Sequence, residues 1–177
     1  RESDHMMTSL SGAMQILLRE VLRRDMSGVY GVSASGRISR QPTELYSFSI
    51  HFGCAPGRVA ELQKAVQEVV AAARKDGFGA EIVTKIKEQQ LRQREISLKQ
   101  NLFWLDRIID GARFGDDPRL LLRYDELVAK VTGDSLRDAA RTFLDPGRVV
   151  TGVLYPEAGA PAGPVPPATA AGGRANK

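Results

Sequence analysis

From Leu45 to Cys54 the chain alternates without a break: Leu45, Ser47, Ser49, His51 and Gly53 on one parity, Tyr46, Phe48, Ile50, Phe52 and Cys54 on the other. A period of two puts the large apolar set on one face of a β-strand and the serines and histidine on the other. Such a strand buries one face under helices and leaves the other to solvent or a cavity. A partner lies just upstream. Tyr30, Val32, Ala34 and Ile38 share a face provided no bulge intervenes, and Ser39-Arg40-Gln41-Pro42-Thr43 is a loop, so the two strands form a wide antiparallel hairpin.

Elsewhere the periodicity is helical. A first helix is predicted from an N-cap at Ser3 to about Asp25, with Met7, Leu10, Met14, Leu17, Leu18 and Val21 as its buried stripe. Its last turns hold Arg19, Glu20, Arg23 and Arg24, where cations suit the helix C-terminus, and Gly28 supplies the turn. Beyond Ala55 a second helix is predicted from about Pro56 to Lys75, stopped by Asp76-Gly77-Phe78-Gly79. A third, about Ala80 to Lys99, is so polar that it belongs on the outside. Asn101 is placed to cap a fourth through Leu102, Leu105, Ile108, Ile109 and Ala112. A further helix covers Arg119 to Val131 with an internal break. Thr132 caps a last one carrying Leu136, Ala139, Ala140, Phe143 and Leu144, and Val149 to Tyr155 reads as a final buried strand. From Pro156 Ala, Gly and Pro dominate without periodicity; residues 156–177 cannot bury enough surface to order and are expected to be a disordered tail. Helix, two strands, several helices and one strand, with no strand–helix alternation, give an α+β class: an antiparallel sheet packed on one face by several helices.

With 177 residues, 42% of them hydrophobic, residues 1–155 suffice for one domain with a real core. No apolar run approaches the roughly 18 residues of a membrane span. Arg1-Glu2-Ser3-Asp4 leads straight into a helical pattern without signal-peptide character, which in an internal fragment says nothing of the parent. The net charge is +4, but the cations are mixed with Glu and Asp along helices instead of gathered on one face with aromatics, so no nucleic-acid partner is assigned. The single cysteine, Cys54, forms no internal disulfide and reads as a small buried hydrophobe at a strand end. The two histidines, His5 and His51, belong to no HExxH or HxxEH pattern. GxSxG and a phosphate loop are missing too, so the chain is assigned no catalytic residue and no metal ligand.

One segment stands apart. Leu22-Arg23-Arg24-Asp25-Met26-Ser27-Gly28-Val29-Tyr30-Gly31-Val32-Ser33 takes a helix that ends in arginines through a short turn into a strand that opens on a tyrosine. Arg23 and Tyr30 lie on opposite sides of that turn, which can aim both side chains at one place. Taken alone the pair is ordinary, because helix-end arginines and strand tyrosines are common.

The stretch Leu18 to Val32 resembles the C-terminal Arg/Tyr segment of the pitrilysin/insulinase family, the inverted-motif zinc peptidases that include mitochondrial processing peptidase. Ser49-Ile50-His51-Phe52-Gly53-Cys54-Ala55-Pro56 resembles that family's strand-to-helix junction. Ile86-Lys87-Glu88-Gln89-Gln90, Asn101-Leu102-Phe103-Trp104-Leu105 and Gly115-Asp116-Asp117-Pro118 resemble its later helices and loop. The closest flavour is the C-terminal, non-catalytic domain of a bacterial multi-domain zinc protease.

The resemblance implies a clamshell in which an active half with HxxEH faces a homologous half without it. It implies that Arg23 and Tyr30 of the inactive half hold the substrate backbone near the scissile bond. Zinc is then expected in the partner catalytic domain and no cofactor in this chain. The implied partners are a peptide substrate and the N-terminal catalytic domain of the parent or a paired subunit. Alone, the chain is expected to be inactive. A complete family domain begins with further strands before the first helix, so the resemblance makes this one incomplete at its N-terminal side and leaves an open sheet edge for self-association. The resemblance alone favours a bacterial periplasm or cell envelope. Its alternative is a catalytically dead structural or scaffold subunit of the same family.

Overall fold

The computed structural model describes residues 2–25 and 29–157, with the side chains of residues 23–25, 29, 30 and 118 outside the described set. In order the elements are α1 (Glu2–Asp25), β1 (Val29–Ser39), β2 (Leu45–Cys54), a 3-10 turn at Pro56–Arg58, α2 (Val59–Asp76), α3 (Ala80–Ser97) and α4 (Asn101–Phe114). They continue with a 3-10 segment at Pro118–Arg123, α5 (Tyr124–Ala129), α6 (Gly133–Phe143) and a 3-10 turn at Pro146–Arg148. The molecule is mostly helical with a two-stranded antiparallel sheet, an α+β architecture.

The central element is α1. Leu10, Ala13, Met14 and Leu18 are fully buried among Val69 and Ala73 of α2, Ile82 and Ile86 of α3, and Leu136, Ala139 and Ala140 of α6. Val32 and Ala34 of β1 with Phe48 and Ile50 of β2 pack against the same cluster from the sheet. The predicted stripe is therefore the core, with Leu22 joining it as a buried residue. The helix also lies so close to β1 that a Cβ on Gly36 would fall 2.2 Å from Met7 Sδ and 2.9 Å from a Phe48 ring carbon. Glycine at 36 is thus required by the approach of helix to strand.

The strands pair in register from Gly31↔Gly53 to Ser39↔Leu45. Phe48, Ile50, Phe52 and Cys54 are half-buried while Ser47, His51 and Gly53 are exposed; Tyr46, exposed, and Ser49, half-buried, depart from the alternation. Arg40, just beyond β1, ties the hairpin loop to both ends of the fold. Its guanidinium lies 2.8 Å from Asp4 of α1 and 3.3 Å from Asp116 after α4, over the Phe114 ring. Those hydrogen bonds and charges raise its already high pKa.

Helix ends follow local chemistry. Gly77 stops α2 at φ 78°, which a Cβ disfavours. Thr132 starts α6 with a capping box, each of Thr132 and Ser135 accepting from the other's backbone N–H. Arg94 of α3 lies between the rings of Phe103 of α4 and Tyr124 of α5, 4.8 and 4.9 Å from their centroids, and donates to the Leu121 carbonyl.

Three expectations are corrected, at Ser3, Asn101 and Val149–Tyr155. Ser3 lies inside α1, which already includes Glu2, and so is not its cap. Asn101 is the first residue of α4; Gln100 occupies the cap position, with no side-chain bond. On α3 the third buried residue is Gln90, because Ser9 of α1 faces it with a hydrogen-bonding hydroxyl, and Leu91 is left outside. Val149 to Tyr155 is neither strand nor buried: among the described residues no strand pairs with it, and Val150 and Leu154 are 97% and 101% exposed. Apolar alternation makes a segment fit to be a strand, but a ladder partner makes it one. Residues 158–177 of the expected tail, and Met26, Ser27 and Gly28, where the turn is expected, lie outside the described residues.

The expected stripe of α4 faces outward. Leu102, Leu105, Ile108 and Ile109 are 65%, 53%, 60% and 51% exposed. At 100° per residue they share, with Trp104 and Ala112, one arc of about 160° that contains no charged residue. An arc of that width is what a helix presents to a packing partner.

Candidate functional site

The candidate site is the passage from α1 to β1. The backbone of Arg23 lies in the last turn of α1 and that of Tyr30 in the opening of β1; both side chains are outside the described residues. The backbone alone is informative. Val29 pairs with Cys54 and Gly31 with Gly53, so two steps along β1 match one step along β2 and Tyr30 is the extra residue of a β-bulge. The condition attached to the strand reading is therefore not met: Val32, Ala34 and Ile38 keep their alternation, while Tyr30 is uncoupled from it. A bulge re-aims a side chain and sharpens local twist, which is why bulges gather beside functional sites.

Next to the bulge, on the face turned away from α1, is a shallow hollow of about 380 Å³ lined by Gly31, Val32, Ser33, His51, Phe52 and Gly53. Its floor includes the Gly31–Gly53 pair, two opposed residues with no side chain, so another backbone can approach the sheet closely. Ser33 and His51 face each other across the ladder at its rim. His51 is exposed and Cys54 is half-buried and unbonded.

The helix reaches this strand through one side chain that sequence reasoning missed. Gln15 of α1 donates from Nε2 to the Val32 carbonyl at 2.7 Å and accepts at Oε1 from the Ala34 N–H at 2.7 Å. One carbonyl and one N–H, met together, fix the orientation of the amide. Nothing in the spacing marks Gln15, which reads as a polar position beside the buried stripe.

The family resemblance raises zinc, and this chain's residues do not fit it. His5 packs edge-on against Tyr124 with ring centroids 5.3 Å apart, and burial pushes its pKa down. His51 lies on a different element, the exposed strand face. Among the described residues no group of three or more His, Cys, Asp and Glu is placed to hold a metal ion. A second shallow hollow, lined by Glu2, Leu120, Arg123, Glu126, Leu127 and Lys130, is a surface groove with paired charges, Lys130 to Glu2 and Arg123 to Glu126.

Comparison with known proteins bears on the family and the fold. Residues 4–90 match the family model described as peptidase M16 inactive domain. The Arabidopsis thaliana zinc protease PQQL-like is 26% identical over 115 residues, 62% of this chain and 12% of that protein. The structure of the periplasmic protease PqqL from Escherichia coli superposes with a TM-score of 0.67 at 21% identity, over 81% of this chain and 16% of that one. The ferredoxin protease FusC, solved with Arabidopsis ferredoxin, gives 0.68 at 19% identity, over 82% and 16%. A peptidase M16 inactive domain from Pseudomonas fluorescens gives 0.67 at 16%, over 80% and 34%. The chain thus spans only a small part of these longer relatives, and at such identities the structural likeness speaks for the fold. Residues 4–90 thus match the peptidase M16 inactive-domain model, and the architecture built on them is consistent with a pitrilysin-like C-terminal domain fold.

Proposed function

We propose that residues 1–155 form the substrate-clamping, non-catalytic part of a zinc-dependent metalloendopeptidase, holding a peptide against a catalytic domain supplied by the rest of the parent or by a paired subunit. The observation that carries this reading is the β-bulge at Tyr30, beside a glycine-floored hollow and across a short turn from Arg23. The guanidinium of Arg23 offers several donors in a fixed fork to peptide carbonyls. The hydroxyl of Tyr30 donates to a carbonyl oxygen that gains charge as the bond breaks. The glycine pair lets the peptide backbone lie close to the sheet. Zinc and its activated water belong to the catalytic half. The protease names of the relatives support the substrate class, a peptide.

A scaffold reading, in which a dead family member serves to bind a neighbour, has one observation in its favour, the uncharged apolar arc of α4. The two readings part in one experiment. A photo-crosslinking residue placed at position 30 of the working parent should capture a bound peptide, and the same residue at position 24 should not. Capture at neither position, in a parent that cleaves the peptide, removes the clamp.

A further inference from the structure

The geometry points to Gln15 as the positioning residue that sets the opening of β1, and with it Tyr30, against the helix that carries Arg23; this rests on the clamp reading above. An antiparallel strand turns its backbone groups to alternate sides. Val32 and Ala34 give theirs to Gln15, so these groups face away from β2 and form the outer edge of the sheet. At that edge Gln15 occupies the place of a neighbouring strand: its amide supplies the N–H and C=O that a strand residue would.

The position of this contact matters. Helix and strand run in opposite directions, with Met7 against Gly36 near one end and Gln15 against Val32 and Ala34 further along. Arg23 lies eight residues beyond Gln15, about 12 Å along the helix axis. Tyr30 lies two residues before Val32, about 7 Å along the strand. Gln15 is thus a side-chain hydrogen-bonding link between the two elements close to the site. Beyond it, Tyr30 itself has no partner in the ladder to β2, which resumes at Val29 and Cys54, so Gln15 adds a hold on the strand from its other edge. The same two bonds have a second consequence. The Val32 carbonyl and the Ala34 N–H are already paired, so a strand adding at this edge of β1 would have to displace Gln15.

The test is a double-mutant cycle in the parent enzyme, read together with amide exchange. Gln15→Met keeps the length of the side chain and removes both bonds. The amide of Ala34 should then exchange faster while that of Ser33 in the β1–β2 ladder stays protected. Displacement of a positioning group by about an ångström costs up to a hundredfold in turnover; roughly tenfold is expected here, falling on kcat more than on KM. In a Tyr30→Phe background the same substitution should cost little further. Gln15→Glu keeps an acceptor for Ala34 N–H but turns its second carboxylate oxygen on the Val32 carbonyl, so it should cost no less than Gln15→Met, and Gln15→Leu, which also removes both bonds, carries the cycle if Gln15→Met fails to fold. Equal losses in the wild-type and Tyr30→Phe backgrounds would overturn the positioning role while leaving the clamp standing. Wild-type turnover in Tyr30→Phe itself would remove the clamp, and the positioning role with it.

Discussion

His5 shows how one side chain carries consequences for the whole domain. It is nearly buried, its Nε2 has no hydrogen-bond partner, and its ring meets Tyr124 edge-on. Desolvation holds its pKa below the ordinary value of 6.5, so the unfolded chain takes up the proton first. Stability is therefore fully present above about pH 6.5 and is lost as the pH falls from there through the folded pKa, at no more than about 1.4 kcal/mol per pH unit for a single proton. Chemical denaturation at pH 7.5 and 5.5 should show this loss, and His5→Phe, which keeps a ring against Tyr124, should reduce it. An equal loss in both proteins would assign the pH dependence elsewhere. Gly36 has a steric role. Gly36→Ala drives a methyl into Met7, and overpacking of this kind costs about 1–3 kcal/mol, readable in the same denaturation experiment.

At the level of elements, local chemistry was legible where it is self-contained. The cap at Thr132 needs only residues three apart in the chain, and Thr132 caps α6 as read. Thr132→Ala should lower stability by about 1 kcal/mol. The stripe of α1 and the alternation of β2 were legible for the same reason: each period reports a face that the element must bury. Three features were not legible because they depend on a neighbour distant in sequence. The bulge at Tyr30 is a property of the pair β1–β2, since β1 by itself alternates well enough. Gln15 became important only when α1 lay along β1. Val149–Tyr155 has strand composition and no ladder partner among the described residues. The arc of α4 is the reverse case: the periodicity was real, but the face it marks is uncovered here. Leu105→Asp with Ile109→Asp should accordingly change folding stability by no more than about 0.5 kcal/mol, as exposed substitutions do. A loss of several kcal/mol would mean that the face is buried within the fold.

At the scale of the molecule, two surfaces among the described residues are unfinished: the arc of α4 and the outer edge of β2, where Tyr46, Phe48, Ile50, Phe52 and Cys54 turn their backbone groups outward. The proposal that the chain is one part of a larger clamp gives both a purpose. The isolated chain should self-associate in sedimentation experiments, and the doubly substituted α4 should do so less. A wild-type chain that stays monomeric at high concentration would remove the need for a partner. The chain alone should neither retain zinc nor cleave peptides. The central claim, that this chain grips the peptide through the junction of α1 and β1, is tested most directly by comparing kcat and KM of the parent with those of its Arg23→Ala, Tyr30→Phe and Arg24→Ala variants. The account predicts a roughly hundredfold lower kcat for Tyr30→Phe, as for loss of one donor to a developing oxyanion. It predicts a raised KM for Arg23→Ala, whose contacts are equally good in the ground state. Arg24→Ala, about 100° round the helix from Arg23, should stay near wild type. Wild-type rates in the first two variants with a loss in Arg24→Ala would contradict the account.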